Sequence, residues 1–536
     1  MVTKGALTNG AVYTEASGFL GTFLKFCGFD IIIVQGAAEK SCYLYVYDGG
    51  AELRDATHLT KKDTWETESL IKEDLGTGEL QSSVFSIGPA GENLVKLACL
   101  VGDKGHVAAH NGVGAVLGSK NLKAIAVARG KGKVILSDGE RFSILAKNLY
   151  EKATGKPGAS LHKWGTMGPN STARSRMLVS RLPIKNQTTN LWPEAYTFSE
   201  ETVRSQPNFK LQWHPCWACR FIHCHLLEIT DGPFAGYKGE EPEYELWAGF
   251  APLIGNTDWA GAAVLSNDVD RLGMDGNEGA WLVAWMMECY EKGLITRETT
   301  GGLELNWGNV EAARALLQKI ACREGLGDVL AEGVMRAAEH LGGEAQKLAV
   351  YTRKGNTPRM HDHRASWAMI LDTVTSDRGR DMDTPIVISS PVQVGLPADL
   401  DFFTPDGAAT LLARVRGRNL IPDIMVICKF NVDGASNEDW AELVSAATGW
   451  DYTGEEIQQV ALRIVHLIRL FNIRHGHTRE LDYPSPRYSS APIDGVNQGK
   501  TIAPVWDETL ERYYELMGWD KQTGEPLPET LSNLGL

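Results

Sequence analysis

Three cysteines fall within nine residues in Cys216-Trp-Ala-Cys219-Arg-Phe-Ile-His-Cys224, and a fourth, Cys428, stands far downstream in Pro-Asp-Ile-Met-Val-Ile-Cys-Lys-Phe. Two cysteines separated by two residues can wrap one metal from a single tight turn. A third just beyond extends the grip, and a distant fourth can close the site once the chain folds. Four thiolates suit either a four-iron cluster or a structural zinc. Zinc could also draw on His214, His223 or His225, so spacing alone leaves the two metals open. An iron cluster would carry electrons; zinc would only staple the chain.

Composition narrows the setting. Nine cysteines in an acidic chain of 536 residues do not resemble a secreted disulfide framework. They point to a reducing, cytoplasmic environment. Cys27, Cys42, Cys99, Cys289 and Cys322 read as small buried hydrophobes. The net charge of −14 and the lack of any basic run argue against nucleic-acid binding. No apolar stretch approaches the ~18 residues of a membrane span, and the start lacks signal-peptide form. The length exceeds the ~250–300 residues at which single cores stop growing, so two or three domains are expected.

The elements that must position the cysteines change along the chain. Residues 1–132 read as β-rich, with strands expected at Asp30–Val34, Ser41–Tyr47 and Ile125–Ala128. From about residue 140 the pattern turns helical, over Glu140–Tyr150 and over Asn309–Leu341 with breaks at Gly325 and Gly327. The clearest helix begins near Glu455: Thr453 and Glu456 form a capping box, followed by Ile457, Val460, Ile464, Leu467 and Phe471. The expected class is α+β: a β-rich domain at 1–132, a helical domain at 133–347 with the cysteine cluster, and a second at 348–536 with Cys428. Met1–Thr8 reads as the middle of a β domain without lead-in, as though the domain were truncated at its start.

Other groups have chemistry of their own. Gly112-x-Gly114 and Gly118 permit close backbone approach and suit amides facing phosphates, but also an ordinary turn before a strand. Their spacing is not the dinucleotide fingerprint. Asp270 and Asp275 bracket an Arg-Leu-Gly-Met turn, which alone reads as a helix end with solvated acids. Glu241, Glu243 and Glu245 read as a charged helix start. His361 and His363 could move protons near neutral pH or sit in a surface loop.

Three blocks together carry a resemblance. The first is Ser86-Ile-Gly-Pro-Ala-Gly-Glu-Asn-Leu-Val-Lys-Leu-Ala98 with Gly112–Ile125. The second is the cysteine cluster with Glu241-Pro-Glu-Tyr-Glu245 and Asp270–Asp275 behind it. The third is Cys428 and the end of the chain, from Arg469-Leu-Phe-Asn472 to Met517-Gly-Trp519. In this order, nearly end to end, the chain resembles the tungsten-dependent aldehyde:ferredoxin oxidoreductases. The resemblance implies tungsten chelated by dithiolenes of two pterins, although the same sulfurs would serve molybdenum. It implies a four-iron (4Fe-4S) cluster on Cys216, Cys219, Cys224 and Cys428, with magnesium as a candidate bridge between pterin phosphates. The implied fold is a β base under the pterins, closed by two helical domains. Gly112 and Gly114 would face pterin phosphates, while Asp270, Asp275 and Asp423 would accept hydrogen bonds from pterin rings. Glu245 would be the acid/base of the substrate pocket, with His361 and His363 as candidate proton shuttles. The implied reaction oxidises an aldehyde to a carboxylic acid and hands electrons to ferredoxin or to an iron–sulfur subunit; an oligomer is compatible with it.

The chain departs from the family pattern at several places. Cys219 and Cys224 are separated by four residues where three are usual, which keeps His223 open as an alternative ligand. Val426 stands where glycine is usual, and His110-Asn111 where an arginine is. Val264 and Asn267 replace an acid and a histidine that bind an intersubunit metal in some members. Met382 stands where a histidine would partner Glu245. Relative to the family, a leading segment of several tens of residues is expected to be missing. These departures motivate two rivals: the catalytic subunit of an aryl-CoA (benzoyl-CoA type) reductase, and a cofactor-poor remnant kept as a structural or partner-binding subunit.

Overall fold

Short apolar strands bounded by turns build the front of the molecule. The computed structural model describes residues 1–168, 177, 179–194, 198–378 and 391–536. In chain order the strands there are β1 (Val2–Lys4), β2 (Ala11–Tyr13), β3 (Cys42–Tyr47), β4 (Gly50–Asp55), β5 (Ser82–Ser86), β6 (Leu100–Gly102), β7 (His106–Ala108) and β8 (Leu122–Ala128). Six form one sheet in the order β4-β3-β8-β5-β6-β7, in which β3 and β8 run parallel and the other pairs antiparallel. β1 and β2 form a separate hairpin. The expected strand at Asp30–Val34 is a correction: the segment is outside any ladder, and Ile31 and Ile33 are 74% and 79% exposed. β-branched residues favour extended backbone, but a strand also needs a neighbour to bond to.

The rest is mainly helical. A helix at Gly139–Ala153 and three at Val310–Cys322, Leu326–Leu330 and Val334–Leu341 cover the expected helical stretches. Gly325 and Gly333, both with positive φ, separate the latter three. The helix at Gly454–Arg474 starts on the Thr453/Glu456 capping box. Its apolar stripe is only partly used: Ile457 is buried, whereas Leu467 and Phe471 are exposed. Towards its end the buried side is polar, with His466, Arg469 and Asn472. These residues serve a charged network rather than a greasy seam.

One contiguous apolar core runs from Ala90 through Trp247, Trp281 and Trp285 to Tyr513 and Trp519, so both helical stretches share it. A smaller core joins Leu149 of the Gly139–Ala153 helix to Leu420, Trp440, Ile457 and Ala461. Three further strands were not expected from the sequence: β9 (Phe209–Trp213), β10 (His225–Ile229) and β11 (Lys238–Glu240) form an antiparallel sheet within the helical half. The cysteine cluster is the loop between β9 and β10.

Candidate metal centre and active site

The cysteine loop is held at both ends and plugged in the middle. β9 and β10 pair from Trp213↔His225 to Phe209↔Ile229, and the His214 N–H donates to the Cys224 carbonyl at 3.0 Å, closing the loop neck. The Cys219 N–H donates to the Cys216 carbonyl at 3.1 Å, and Ala218 and Ile222 take positive φ, which curls the intervening backbone. Trp217 joins an aromatic cluster of the β base. Its ring packs edge-on against Phe19, Phe23 and Phe26 at 5.5–6.3 Å, with the Arg129 guanidinium over it at 4.7 Å. Trp217 is thus an aromatic anchor of the loop on the β base, beside the Trp217 N–H bond to the Gly18 carbonyl at 3.2 Å.

The thiols converge. A hydrogen bond from the Cys224 thiol, with help from His106, holds Cys216 well below the usual thiol range. Cys428 is exposed, yet surrounding protein raises its thiol, and the charges of Cys216 and Cys219 add to the rise. All nine cysteines are free. His214 and His225 are engaged elsewhere: His214 Nε2 with the Asp103 carbonyl at 2.7 Å, His225 Nδ1 with Glu241 Oε2 at 2.7 Å. His223 stays close, its Nε2 3.6 Å from Cys224 Sγ, and one ligand atom each of His223, Cys224 and Glu243 lies within 4.8 Å of the others.

Two turns of one design flank this centre. In the first, Gly273 N–H donates to Asp270 O and Met274 N–H to Val269 O; in the second, Val426 N–H donates to Asp423 O and Ile427 N–H to Pro422 O. Both are Schellman turns, whose pivot residue must be left-handed. Gly273 has φ +73 and Val426 has φ +55. The family's glycine is absent from the second turn, but its conformation is kept. Two residues after each pivot stand Asp275 and Cys428, so one turn geometry delivers a carboxylate on one side and a thiol on the other.

The first turn is stitched to the β base. Ala90 N–H donates to Leu272 O, Cys99 N–H to Gly273 O and Asp275 N–H to Leu97 O. A side chain on Gly88 would meet the Leu272 carbonyl at 2.4 Å, and one on Gly273 the Gly88 nitrogen at 2.5 Å. The Asp270 carboxylate, buried and without a hydrogen-bond partner among the described residues, is pushed far up by burial and by Glu240 and Asp275. Asp275 is instead occupied: it caps the helix at Gly276–Glu291 through the Asn277 and Glu278 N–H groups and takes the His110 N–H and Nδ1 at 3.1 and 3.0 Å. Asp423 accepts from Tyr13 Oη at 3.1 Å and pairs with Arg378 at 2.9 Å.

The glycine loop is packed tightly on the backbone beside it. Gly112, with φ +74, caps the short helix at Val113–Gly118 after His110 and Asn111, which are also left-handed. The Gly114 N–H donates to the Ala98 carbonyl at 2.9 Å, and a side chain there would strike the Cys99 backbone at 2.5 Å. Its bareness lets the helix approach that backbone.

Glu245 and His361 come together from 116 positions apart. Glu245 Oε2 accepts from Met360 N–H at 2.8 Å, while Oε1 lies 3.5 Å from His361 Nε2 and 3.7 Å from Arg359 Nη1. Tyr244 stacks on the His361 ring at 5.1 Å. His363 is one ring further in, 6.3 Å from His361, with Nδ1 2.6 Å from Tyr488 Oη and 3.1 Å from Thr373 Oγ1. Sequence reasoning missed Arg359 and Tyr488; an arginine two residues before His361 was the available signal for the first, and nothing marked the second. Met382 lies outside the described residues.

Known proteins are similar to this chain along its whole length. Residues 1–129 match the family model "Aldehyde ferredoxin oxidoreductase, N-terminal domain", and residues 144–536 match "Aldehyde ferredoxin oxidoreductase, domains 2 & 3". The tungsten-containing aldehyde ferredoxin oxidoreductase of Pyrococcus furiosus is 36% identical, covering 100% of this chain and 86% of its own. That of Thermococcus kodakarensis is 34% identical with the same coverage. The WOR-like subunit of an aliphatic sulfonate oxidoreductase from Pyrococcus furiosus is 30% identical, covering 100% and 85%. The active-site complex BamBC of benzoyl coenzyme A reductase, solved with 1,5-dienoyl-CoA, shares the fold with a TM-score of 0.82 at 22% identity, over 100% of this chain and 85% of its own. The chain belongs to the aldehyde ferredoxin oxidoreductase family. It is an oxidoreductase of that family.

Proposed function

We propose that this protein is a tungsten–pterin, iron–sulfur enzyme that oxidises an aldehyde to a carboxylic acid and passes the electrons to ferredoxin. The observation that carries the reading is the arrival of Cys428 beside Cys216 and Cys219, on a turn of the same design as the one bearing Asp270 and Asp275. The residues present fit both groups. Four cysteines offer the donor set of a four-iron cluster, and Asp270 is a buried acceptor in want of a donor such as a pterin ring N–H. Cys216, Cys219, Cys224 and Cys428 would hold the cluster; Asp270 and Asp423 would hold the pterins, with Gly112 bringing the loop close.

The net reaction takes an aldehyde and water to a carboxylic acid, two protons and two electrons. The bound tungsten pterin would supply the two-electron oxidation and the cluster a one-electron exit. The chain's own share is protonic. Met360 fixes one Glu245 oxygen, which leaves the other, facing His361, to take a proton from water. Stacking on Tyr244 holds the His361 ring to receive it, and Arg359 supports the carboxylate charge.

Turnover tests the proposal directly. The anaerobically purified enzyme should reduce a viologen dye with aldehydes, and Glu245→Gln should lower kcat by about 10²–10⁴-fold. Reduction of benzoyl-CoA by a strong reductant, with aldehydes inert, would transfer the assignment to the aryl-CoA reductases. Inactivity on both would leave the remnant reading.

A further inference from the structure

His106 sits at the end of β7 with its ring against the first cluster cysteine, its Nε2 3.8 Å from Cys216 Sγ. A cysteine sulfur bound to iron carries no proton and can only accept, so the imidazole must donate there. The other ring nitrogen faces Glu240, with Nδ1 4.0 Å from Oε1. His214 stacks on the ring at 5.5 Å and 17°, which braces one face of it. The side chain is 5% exposed, which keeps water from competing for the sulfur.

The supporting shell is built for this contact. Asn267, standing where some family members carry a metal ligand, clamps the Glu240 backbone instead: its Oδ1 accepts from Glu240 N–H at 2.7 Å and its Nδ2 donates to Glu240 O at 2.9 Å. Gly105 clears the path, since a side chain there would meet Glu240 Oε2 at 2.5 Å. The line Asn267, Glu240, His106, Cys216 therefore runs from a helix, across a strand end, to the metal centre.

We propose that His106, oriented by Glu240, is a positioning residue that raises the reduction potential of the cluster through an N–H···S hydrogen bond to Cys216. Hydrogen bonds to cluster sulfurs disperse the charge gained on reduction and so favour the reduced state. The inference rests on the cluster assigned above. It concerns the potential, a quantity that simple structural support would leave unmoved.

An EPR-monitored redox titration of the anaerobic enzyme, with iron counted per chain, is the test. His106→Phe and His106→Leu should keep the parent's iron content while the midpoint moves to more negative potential. His106→Gln, which retains an N–H donor, should fall between them and the parent. Midpoints equal to the parent's in the apolar variant that folds would overturn the assignment. So would loss of iron from all three variants, which would make His106 a ligand or scaffold instead. A parent protein without iron or signal would overturn the cluster reading and the inference together.

Discussion

Val426 and Gly273 occupy the same pivot of the same turn, and the difference between their surroundings explains why only one had to stay glycine. Gly273 lies against Gly88, with no room for a Cβ; Val426 is 73% exposed and bears only the backbone cost of a left-handed β-branched residue. That cost is about 1–2 kcal/mol, partly offset by the entropy glycine loses on folding. Val426→Gly should therefore stabilise the protein by about 0.5–1 kcal/mol, read as a higher urea midpoint at unchanged slope. Gly273→Val should destabilise it by several times as much. A Val426→Gly variant no more stable than the parent would show that the turn carries no strain. At this scale the sequence was legible where chemistry is written in residue type: the four cysteines and the two aspartate turns. It was silent on the packing of Gly114, because a glycine that admits a ligand and one that admits a neighbouring backbone look alike until the neighbour is known.

The β9–β10 hairpin is the element that turns a cysteine spacing into a site. Its strands escaped the sequence reading because each is only five residues long: Phe209-Lys-Leu-Gln-Trp213 is bounded by Pro207-Asn208 and Pro215, but its partner His225-Leu-Leu-Glu-Ile229 leaves the cysteine loop with a turn signal only at its far end. The alternation was there to be read. Trp217 should matter to the loop as much as any cysteine, since it is the contact with Phe19, Phe23 and Phe26. Trp217→Ala should cost about 3 kcal/mol and lower iron content, measured by denaturation and iron assay, while Trp217→Phe should keep most of both. Full iron and stability in the alanine variant would relocate the anchor to the strands alone. The Gly454–Arg474 helix carries the opposite lesson. Its cap was legible, but its apolar stripe pointed to the wrong face near the end, because Arg469 and Asn472 are drawn inward by partners far away in sequence.

Those partners belong to a network that ties the whole molecule together. Asp482 pairs with Lys354 at 2.7 Å, Arg469 at 3.0 Å and His477 at 3.3 Å, and accepts from Tyr514 Oη at 2.5 Å, all in the interior. Despite burial, the Arg469, Lys354 and His477 charges hold its carboxyl well below the usual range. A depressed acid stabilises the fold above its unfolded pKa and loses that contribution only as pH falls through the folded value. Asp482→Asn should thus cost about 3–5 kcal/mol at neutral pH, and the gap to the parent should narrow only below about pH 4; urea unfolding across pH checks both. The order of the family blocks was readable in the chain, whereas the way β base and helical core meet, through Leu97, Cys99 and the Asp270–Asp275 turn, exists only once the backbone closes. On the proposed reading, this closure builds an iron–sulfur centre beside a metallopterin. The decisive measurement is metal analysis of anaerobically purified protein with low-temperature EPR of its dithionite-reduced form. A four-iron complement with tungsten or molybdenum is expected, together with a reduced-cluster signal that Cys428→Ser alters or abolishes. Zinc without iron, tungsten or molybdenum would contradict that reading.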